Sequence, residues 1–372
     1  MRYAALHNNH YDTIACYLAA GIKTTMSTVS TLMLSEALEA PEICEAQLRS
    51  NADLVREAGQ RLRKLAPPFA ATLARGSSDQ AAAFAKHLLE VYAGVPTLSH
   101  SPSIGSLYRR TSASFRDVPL IAISQSGRSP DLIAAAEDAK RMGALVVVIV
   151  NDEESPLAAL GDITIPVRAG RESSVAATKS FVATLVALTH LVAEWSEDDG
   201  LRQALPTIAP ALRAAGAQDW SNALPHLRDA NDLLVLGRGP TLPIAGEAAL
   251  KLKETAGLYA EAFSVAEVAH GPMTLVKNGD PVLVFGPADV SSEGLKERLE
   301  DFAARGATVI AAGAAGDIGA ASIVLPMESS RHPIVQAIGA IQSFYALANA
   351  LSLARGRNPD SPPHLAKVTK TL

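Results

Sequence analysis

Residues 120–132, LIAISQSGRSPDL, decide the fold that we predict for this chain. Leu120 to Ile123 is a short apolar run typical of a buried strand, and residues 131–143 have the apolar spacing of a helix. The turn between them carries Ser124, Gln125, Ser126, Gly127 and Ser129. Such a turn aims backbone N–H groups and hydroxyls at one point, where the helix dipole favours an anion. The segment therefore predicts a phosphate site, with a serine-rich helix cap as the alternative.

Short apolar runs alternate with helical patterns on both sides of this segment, which predicts a parallel sheet covered by helices on both faces. The order recurs about 160 residues later, where PVLVFGPAD corresponds to LIAISQSG. We therefore expect two copies of one α/β unit. Only the first copy has the hydroxyl cluster, because Gly286, Pro287 and Ala288 replace it in the second.

Composition narrows the function classes. The chain has 372 residues, 48% of them hydrophobic, which is enough for two domains or one large one. Its net charge is −5 and its basic residues are scattered, so we expect no nucleic-acid partner. Cys16 and Cys44 are too few for a disulfide framework or a zinc site. We find no signal peptide and no apolar run of membrane-span length, and we predict a cytoplasmic protein.

The pattern also predicts where the parts of the chain begin and end. Residues 32–65 predict a short helix, a break at Pro41 and a longer helix. The polar, proline-rich segment after Arg357 has a periodicity typical of disorder. We divide the chain into an N-terminal extension that need not belong to the fold (1–25), N-terminal helices (26–68), a first domain with the phosphate site (69–195), a helical connector (196–224), a second domain (225–356) and a C-terminal tail (357–372).

A second group of polar residues lies in the second copy. Glu247, Lys251 and Glu254 share one helix face, and spacing alone favours a solvated helix with ordinary ion pairs. The following segment ends in His270-Gly271-Pro272, a turn that can fix an imidazole in place. A lone histidine is more often structural than catalytic, so the residues themselves leave both interpretations open.

Four stretches together resemble one family: SQSGRSPD, VAATKSF, EAALKLKETAGLYAEAFSVAEVAHGP and HLAKVTKTL. They are similar to the tandem sugar isomerase (SIS) domains of the isomerase half of glucosamine-6-phosphate synthase and of SIS-type glucosamine-6-phosphate deaminases. The resemblance covers roughly residues 33–372. It implies an α/β fold with two SIS domains, each a parallel sheet flanked by helices in a flavodoxin-like αβα sandwich.

The resemblance also implies roles for single residues. Glu254 matches the carboxylate that moves a proton between C1 and C2, and Lys251 matches a lysine near the site. His270 matches a ring-opening histidine that reaches the site from the neighbouring subunit of a homodimer. Lys367 matches a lysine that forms an imine with the ketose in the synthase. The implied binding residues are Ser124, Gln125, Ser126 and Ser129 for phosphate, and Ser78, Val175 and Ala366 around the sugar. Ala366 and Lys367 match a C-terminal segment that closes over the sugar, so the resemblance implies that the tail closes over the site.

The reaction implied is deamination with isomerisation of an amino sugar phosphate, glucosamine 6-phosphate and water giving fructose 6-phosphate and ammonia, without metal or cofactor. Since some 30 residues precede the SIS region, we expect no glutaminase activity. The loop Arg171 to Ser174 departs from the synthase and resembles the deaminases. Alternatives are a sugar-phosphate isomerase, a galactosamine-6-phosphate deaminase, a fructosamine-phosphate deglycase, or a non-catalytic sugar-phosphate sensor. The C4 epimer, the direction in the cell and any effector stay open.

Overall fold

The computed structural model describes residues 31–108, 115–313, 319–330 and 332–367. The predicted extension at 1–25, together with Cys16, lies outside the described residues. Cys44 is a buried free thiol, and burial raises its pKa far above the ordinary value.

Within the described residues, ten strands form two five-stranded sheets in which every strand pair is parallel. The first sheet has the order β2-β1-β3-β4-β5 and the second the order β7-β6-β8-β9-β10, which is the same order within each copy. It is the flavodoxin-like order of a doubly wound sheet, so the predicted tandem α/β fold is confirmed. The strands are β1 (Ala70–Leu73), β2 (Thr97–Ser99), β3 (Pro119–Ser124), β4 (Leu145–Val150), β5 (Ile163–Pro166), β6 (Asp232–Gly237), β7 (Tyr259–Ser264), β8 (Pro281–Gly286), β9 (Thr308–Gly313) and β10 (Ile323–Leu325).

Helices cover both faces of the sheets, because the strands are apolar on both sides and need cover from water. The α-helices are α1 (Leu32–Leu38), α2 (Ala40–Ser50), α3 (Ala52–Leu65), α4 (Ser77–Leu88), α5 (Pro102–Ser106), α6 (Pro130–Arg141), α7 (Pro156–Leu160), α8 (Lys179–Ser196), α9 (Asp199–Ala204), α10 (Ile208–Gly216), α11 (Leu224–Leu227), α12 (Leu242–Lys251), α13 (Leu295–Ala304) and α14 (Pro333–Ala354).

The two longest helices, α8 and α14, are buried along most of their length and belong to one apolar core with α4 and α12. In the described residues, α14 is long and apolar enough to cross a membrane, contrary to our expectation that no such run exists. However, 83% of its most apolar window is buried inside the protein, as in a core helix.

The break predicted at Pro41 lies at Glu39, between α1 and α2, and Pro41 itself is in the first turn of α2, where a proline costs no hydrogen bond. A second break, at Asn51, was not predicted. The buried Asn51 amide donates to the Pro166 carbonyl at 2.8 Å and accepts from Arg168 at 2.7 Å. Two helices were predicted and three are found, because this polar anchor to the first sheet has no signature in local periodicity.

Candidate active site

A cavity of about 360 Å³ lies where β1 and β3 end, with α12 and the C-terminal tail on its other side. Ligand crevices of open parallel sheets are expected at these carboxyl ends. Ten of the eleven predicted site residues line the cavity, and His270 does not. The lining residues are Arg75, Gly76, Ser77, Ser78, Ser124, Gln125, Ser126, Ser129, Val175, Ala177, Lys251, Glu254, Leu365, Ala366 and Lys367.

The turn after β3 is tight because its own side chains hold it. The Ser124 hydroxyl accepts a hydrogen bond from the Gly127 N–H at 3.0 Å, and the Ser126 hydroxyl accepts one from the Arg128 N–H at 3.3 Å. Gly127 has φ +62°, and an added Cβ would lie 2.0 Å from the Ser155 hydroxyl oxygen, so only glycine fits. The turn delivers the chain into the N-terminus of α6, which favours an anion.

Arg75 gives the anion site a positive charge that we did not predict. It follows β1 and lines the cavity, and its Nε lies 3.1 Å from the Asp131 carboxylate. Asp131 is fully buried in the first turn of α6, so it fixes the guanidinium beside the turn after β3. The sequence contained the signal, because Arg75 lies two residues after the end of β1, at the same sheet edge as the serines.

Glu247, Lys251 and Glu254 are not on a solvated helix, and that interpretation was wrong. Glu247 and Lys251 are 0% and 1% exposed, because α12 packs against both α4 and α14. The Lys251 ammonium donates to the Glu254 carboxylate and lies 3.6 Å from that of Glu247. Burial alone would lower the pKa of Lys251, but the two carboxylates raise it, so the lysine stays charged.

Glu247 lies beside this pair and is fully buried. Burial and the negative charge of Glu254 raise its pKa to about 8, against the opposing effect of the Lys251 charge. The Lys251 ammonium therefore lies between two carboxylates, of which that of Glu254 lines the cavity.

Glu254 lies in a π-helical turn, Leu252–Ala256, that continues α12 and ends at Gly257 with φ +58°. The first copy has a matching π-helical turn, Leu89–Ala93, which ends at Gly94 with φ +65°. Such turns are frequent at functional sites because they re-aim a side chain. The repeated glycine aligns the copies and places Leu88 opposite Lys251 and Val91 opposite Glu254. The charged pair is therefore found in the second copy alone, and the hydroxyls in the first.

The described part of the tail, residues 357–367, follows a defined path where the periodicity is typical of disorder. It consists of turns and irregular backbone, with Pro359 and Pro362 buried. Lys367 reaches Glu172, with 2.7 Å between Nζ and Oε2. Burial of Glu172 would raise its pKa, but the charge and hydrogen bond of Lys367, with hydrogen bonds from Ser180 and Thr178, bring it below the ordinary value. Periodicity cannot reveal a contact between residues so far apart in sequence.

His270 ends a short helical turn, Glu267–His270, and is exposed. A larger groove, of about 960 Å³, runs along the nearby edge strand β7 and includes Thr274, Leu275 and Tyr259. Leu275 and Tyr259 are 69% and 64% exposed. The described residues contain no group of three His, Cys, Asp or Glu side chains arranged to hold a metal.

Comparisons with known proteins agree with this architecture. The SIS domain profile matches residues 70–194 and 226–354. A glutamine–fructose-6-phosphate aminotransferase (isomerizing) of Thermococcus kodakarensis is 31% identical over 90% of this chain and 57% of its own length. The chain thus spans about half the length of the curated relatives it matches.

Two solved structures are also similar. A protein from Silicibacter pomeroyi assigned as a phosphosugar isomerase has a TM-score of 0.84 and 41% identity, covering 89% of this chain and all of its own. The C-terminal domain of a glucosamine-fructose-6-phosphate aminotransferase from Francisella tularensis has a TM-score of 0.80 and 26% identity, covering 91% and 100%.

Proposed function

Since this chain belongs to the SIS-domain family of sugar-phosphate isomerase enzymes, we propose that it deaminates and isomerises an amino sugar phosphate. Glucosamine 6-phosphate and water give fructose 6-phosphate and ammonia. The observation that carries this proposal is the cavity, which places a lysine-paired carboxylate opposite a hydroxyl-rich anion site. A protein that only binds a sugar phosphate needs the anion site but has no use for the lysine-paired carboxylate.

In this proposal the phosphate dianion docks on the turn after β3, near the N-terminus of α6 and the Arg75 guanidinium. Glu254 removes the proton from C2 of the open aldose. The electron pair of the C2–H bond forms the C1–C2 double bond of the enolamine, while the π pair of the C1 carbonyl moves onto O1, which takes a proton from water. Glu254 then returns its proton to C1. Protonation at C1 leaves an imine at C2. Water adds to this imine, the C–N bond breaks, and ammonia leaves. One carboxylate suits both transfers because C1 and C2 are adjacent.

Lys251 donates a hydrogen bond to the Glu254 carboxylate and holds it in place for the first transfer. Ala366 and Lys367, from the tail, cover the side of the cavity across from the serines. His270 is the ring-opening residue of the proposal and comes from the neighbouring subunit. The exposed apolar side chains of Tyr259 and Leu275 support a subunit interface on that side of the second domain. We place the enzyme in the cytoplasm.

Ammonia release is the direct test of this reaction. Given glucosamine 6-phosphate alone, the purified 372-residue chain should form ammonia and fructose 6-phosphate in equal amounts. Glutamine should not serve as the nitrogen donor for the reverse reaction in this chain. Equal product formation should be checked by separate assays of ammonia and ketose. Glutamine-dependent synthesis of glucosamine 6-phosphate would contradict the proposal.

A second candidate is isomerisation of a sugar phosphate that carries no amine, favoured by the 41% identical structure assigned as a phosphosugar isomerase. That reaction uses the same transfer of a proton from C2 to C1, because the two substrates differ only in the substituent at C2. The assay above separates the candidates when glucose 6-phosphate is supplied beside glucosamine 6-phosphate. Faster conversion of glucose 6-phosphate, with no ammonia from the amino sugar, would favour this second candidate.

Ser126→Ala should raise KM for the phosphorylated sugar. A lost hydrogen bond to a charged group costs about 1.5–3 kcal/mol, which corresponds to a roughly ten- to hundredfold rise in KM. The double change with Ser124 should raise it further. Ser264→Ala is a matched control. The Ser264 hydroxyl, at the end of β7, accepts a hydrogen bond from the N–H group two residues later at 3.3 Å, as the Ser126 hydroxyl does in the turn after β3. An unchanged KM in Ser126→Ala would place the phosphate elsewhere.

A further inference from the structure

The loop of residues 171–178 carries Val175 and Ala177 into the cavity wall, and it is held by both ends of the described chain. From the N-terminal side, the Glu36 carboxylate of α1 accepts hydrogen bonds from the Ser173 and Ser174 N–H groups. This contact fixes the backbone of the loop to α1.

From the C-terminal side, Asp360 contacts the same loop and the same helix. Its carbonyl accepts a hydrogen bond from the Val175 N–H at 3.1 Å. Its carboxylate accepts from the N–H groups of Leu32 and Met33 at 3.0 and 2.7 Å, which caps the N-terminus of α1. The tail is therefore anchored at Asp360, seven residues before Lys367.

Beyond this anchor the tail depends on one contact. Residues 363–366 are exposed. Within the described part of the chain, the hydrogen bond that ties residues 363–367 to the body of the protein is the one from Lys367 to Glu172. Without that bond, nothing polar would keep Leu365 and Ala366 against the cavity.

The Glu172 carboxylate is built to receive a cation. It is fully buried, and it accepts from the Thr178 N–H at 3.0 Å, the Ser180 N–H at 3.1 Å and the Ser180 hydroxyl at 2.6 Å. Three neutral donors hold its position at the start of α8 but do not neutralise it. A buried carboxylate is costly without a countercharge, and Lys367 supplies that charge at 2.7 Å.

We propose that Glu172 is a positioning residue that holds the Lys367 ammonium and thereby docks the C-terminal segment over the sugar. The inference rests on the proposed function, which assigns Lys367 to the substrate. Glu172 itself does not line the cavity, so it acts through the lysine. In this arrangement the ion pair with Glu172 keeps Lys367 and the residues before it at the cavity wall.

Limited trypsin digestion without sugar tests the docking. In Glu172→Gln the neutral amide cannot balance the charge of Lys367, so the tail should detach more often. Because local opening controls proteolysis, cleavage after Lys367 should be about tenfold faster than in the unchanged protein. Glu39→Gln is the matched control, because it removes a Lys179–Glu39 pair of the same 2.7 Å length outside the cavity. That variant should be cleaved at the original rate.

Glu172→Asp keeps the charge on a shorter side chain and should restore at least part of the protection. Thermal unfolding of each variant separates docking from general loss of stability. Unaltered cleavage in Glu172→Gln, or equal acceleration in Glu39→Gln, would overturn the inference. The inference would also be overturned if the cleavage rate rose as the unfolding temperature fell across all variants, because general loss of stability would then explain the cleavage. The digestion needs no turnover, so its result is independent of whether ammonia is released. In the ammonia assay, docking predicts a lower kcat for Glu172→Gln that Glu172→Asp partly rescues.

Discussion

Glu254→Gln should lower kcat by about a hundred- to ten-thousand-fold, the range for loss of a general base. Glutamine has the same shape and can still accept a hydrogen bond from the Lys251 ammonium, but it cannot take the proton from C2. The proposed phosphate contacts come from other elements of the cavity wall, the turns after β1 and β3, so KM should change little. Steady-state kinetics with glucosamine 6-phosphate measure both quantities.

The control for this variant is Glu300→Gln on α13. The exposed Glu300 carboxylate lies 3.9 Å from Lys296 and lines neither the cavity nor the groove along β7. It should keep full activity. Binding of fructose 6-phosphate, measured by calorimetry, should be retained in Glu254→Gln. Turnover within tenfold of the unchanged enzyme would remove Glu254 from the mechanism.

Mixing two inactive variants should restore activity if the active unit is a homodimer with shared sites. Neither Glu254→Gln nor His270→Ala should work alone. In a mixed dimer, one site combines both defects and the other has an intact Glu254 with an intact His270 of the neighbouring subunit. Since half of randomly formed dimers are mixed, activity should return to about a quarter of the unchanged enzyme. The exposure of His270, outside the cavity of its own chain, motivates this experiment.

Subunit exchange has to be shown separately, for example with two affinity tags and mass spectrometry of the mixed dimer. Each variant incubated alone through the same exchange procedure is the control for residual activity. If mixed dimers form and stay inactive, both residues act within one chain. The proposed donation of His270 across an interface would then be wrong.

The sequence predicts the sheets and the turn after β3 because these depend on local patterns. Four apolar residues followed by serines and a glycine specify a strand, a turn and a helix start within a dozen residues. Parallel strands then bring the turns after β1 and β3 to one edge without further information. The ten site residues that converge there come from five separate parts of the chain.

What could not be read from local pattern depends on distant partners. From periodicity, Glu247 and Lys251 form a polar helix face that should be exposed to solvent. Periodicity cannot show that other helices pack against α12 and bury this face. The Lys367 contact with Glu172 joins residues 195 positions apart. Only the resemblance to a family pointed to the tail, and it gave no partner for the lysine.

The matching π-helical turns have an evolutionary consequence. One copy contributes the hydroxyl-rich turn and the other the charged pair, with Val91 now opposite Glu254 and Gly286 to Ala288 opposite the serines. A single-copy ancestor carrying both features could have completed such a site only by pairing with a second molecule, which would have produced two identical sites. Duplication and fusion of such a molecule would make one of the two sites redundant. Each half could then lose the feature that the other retained.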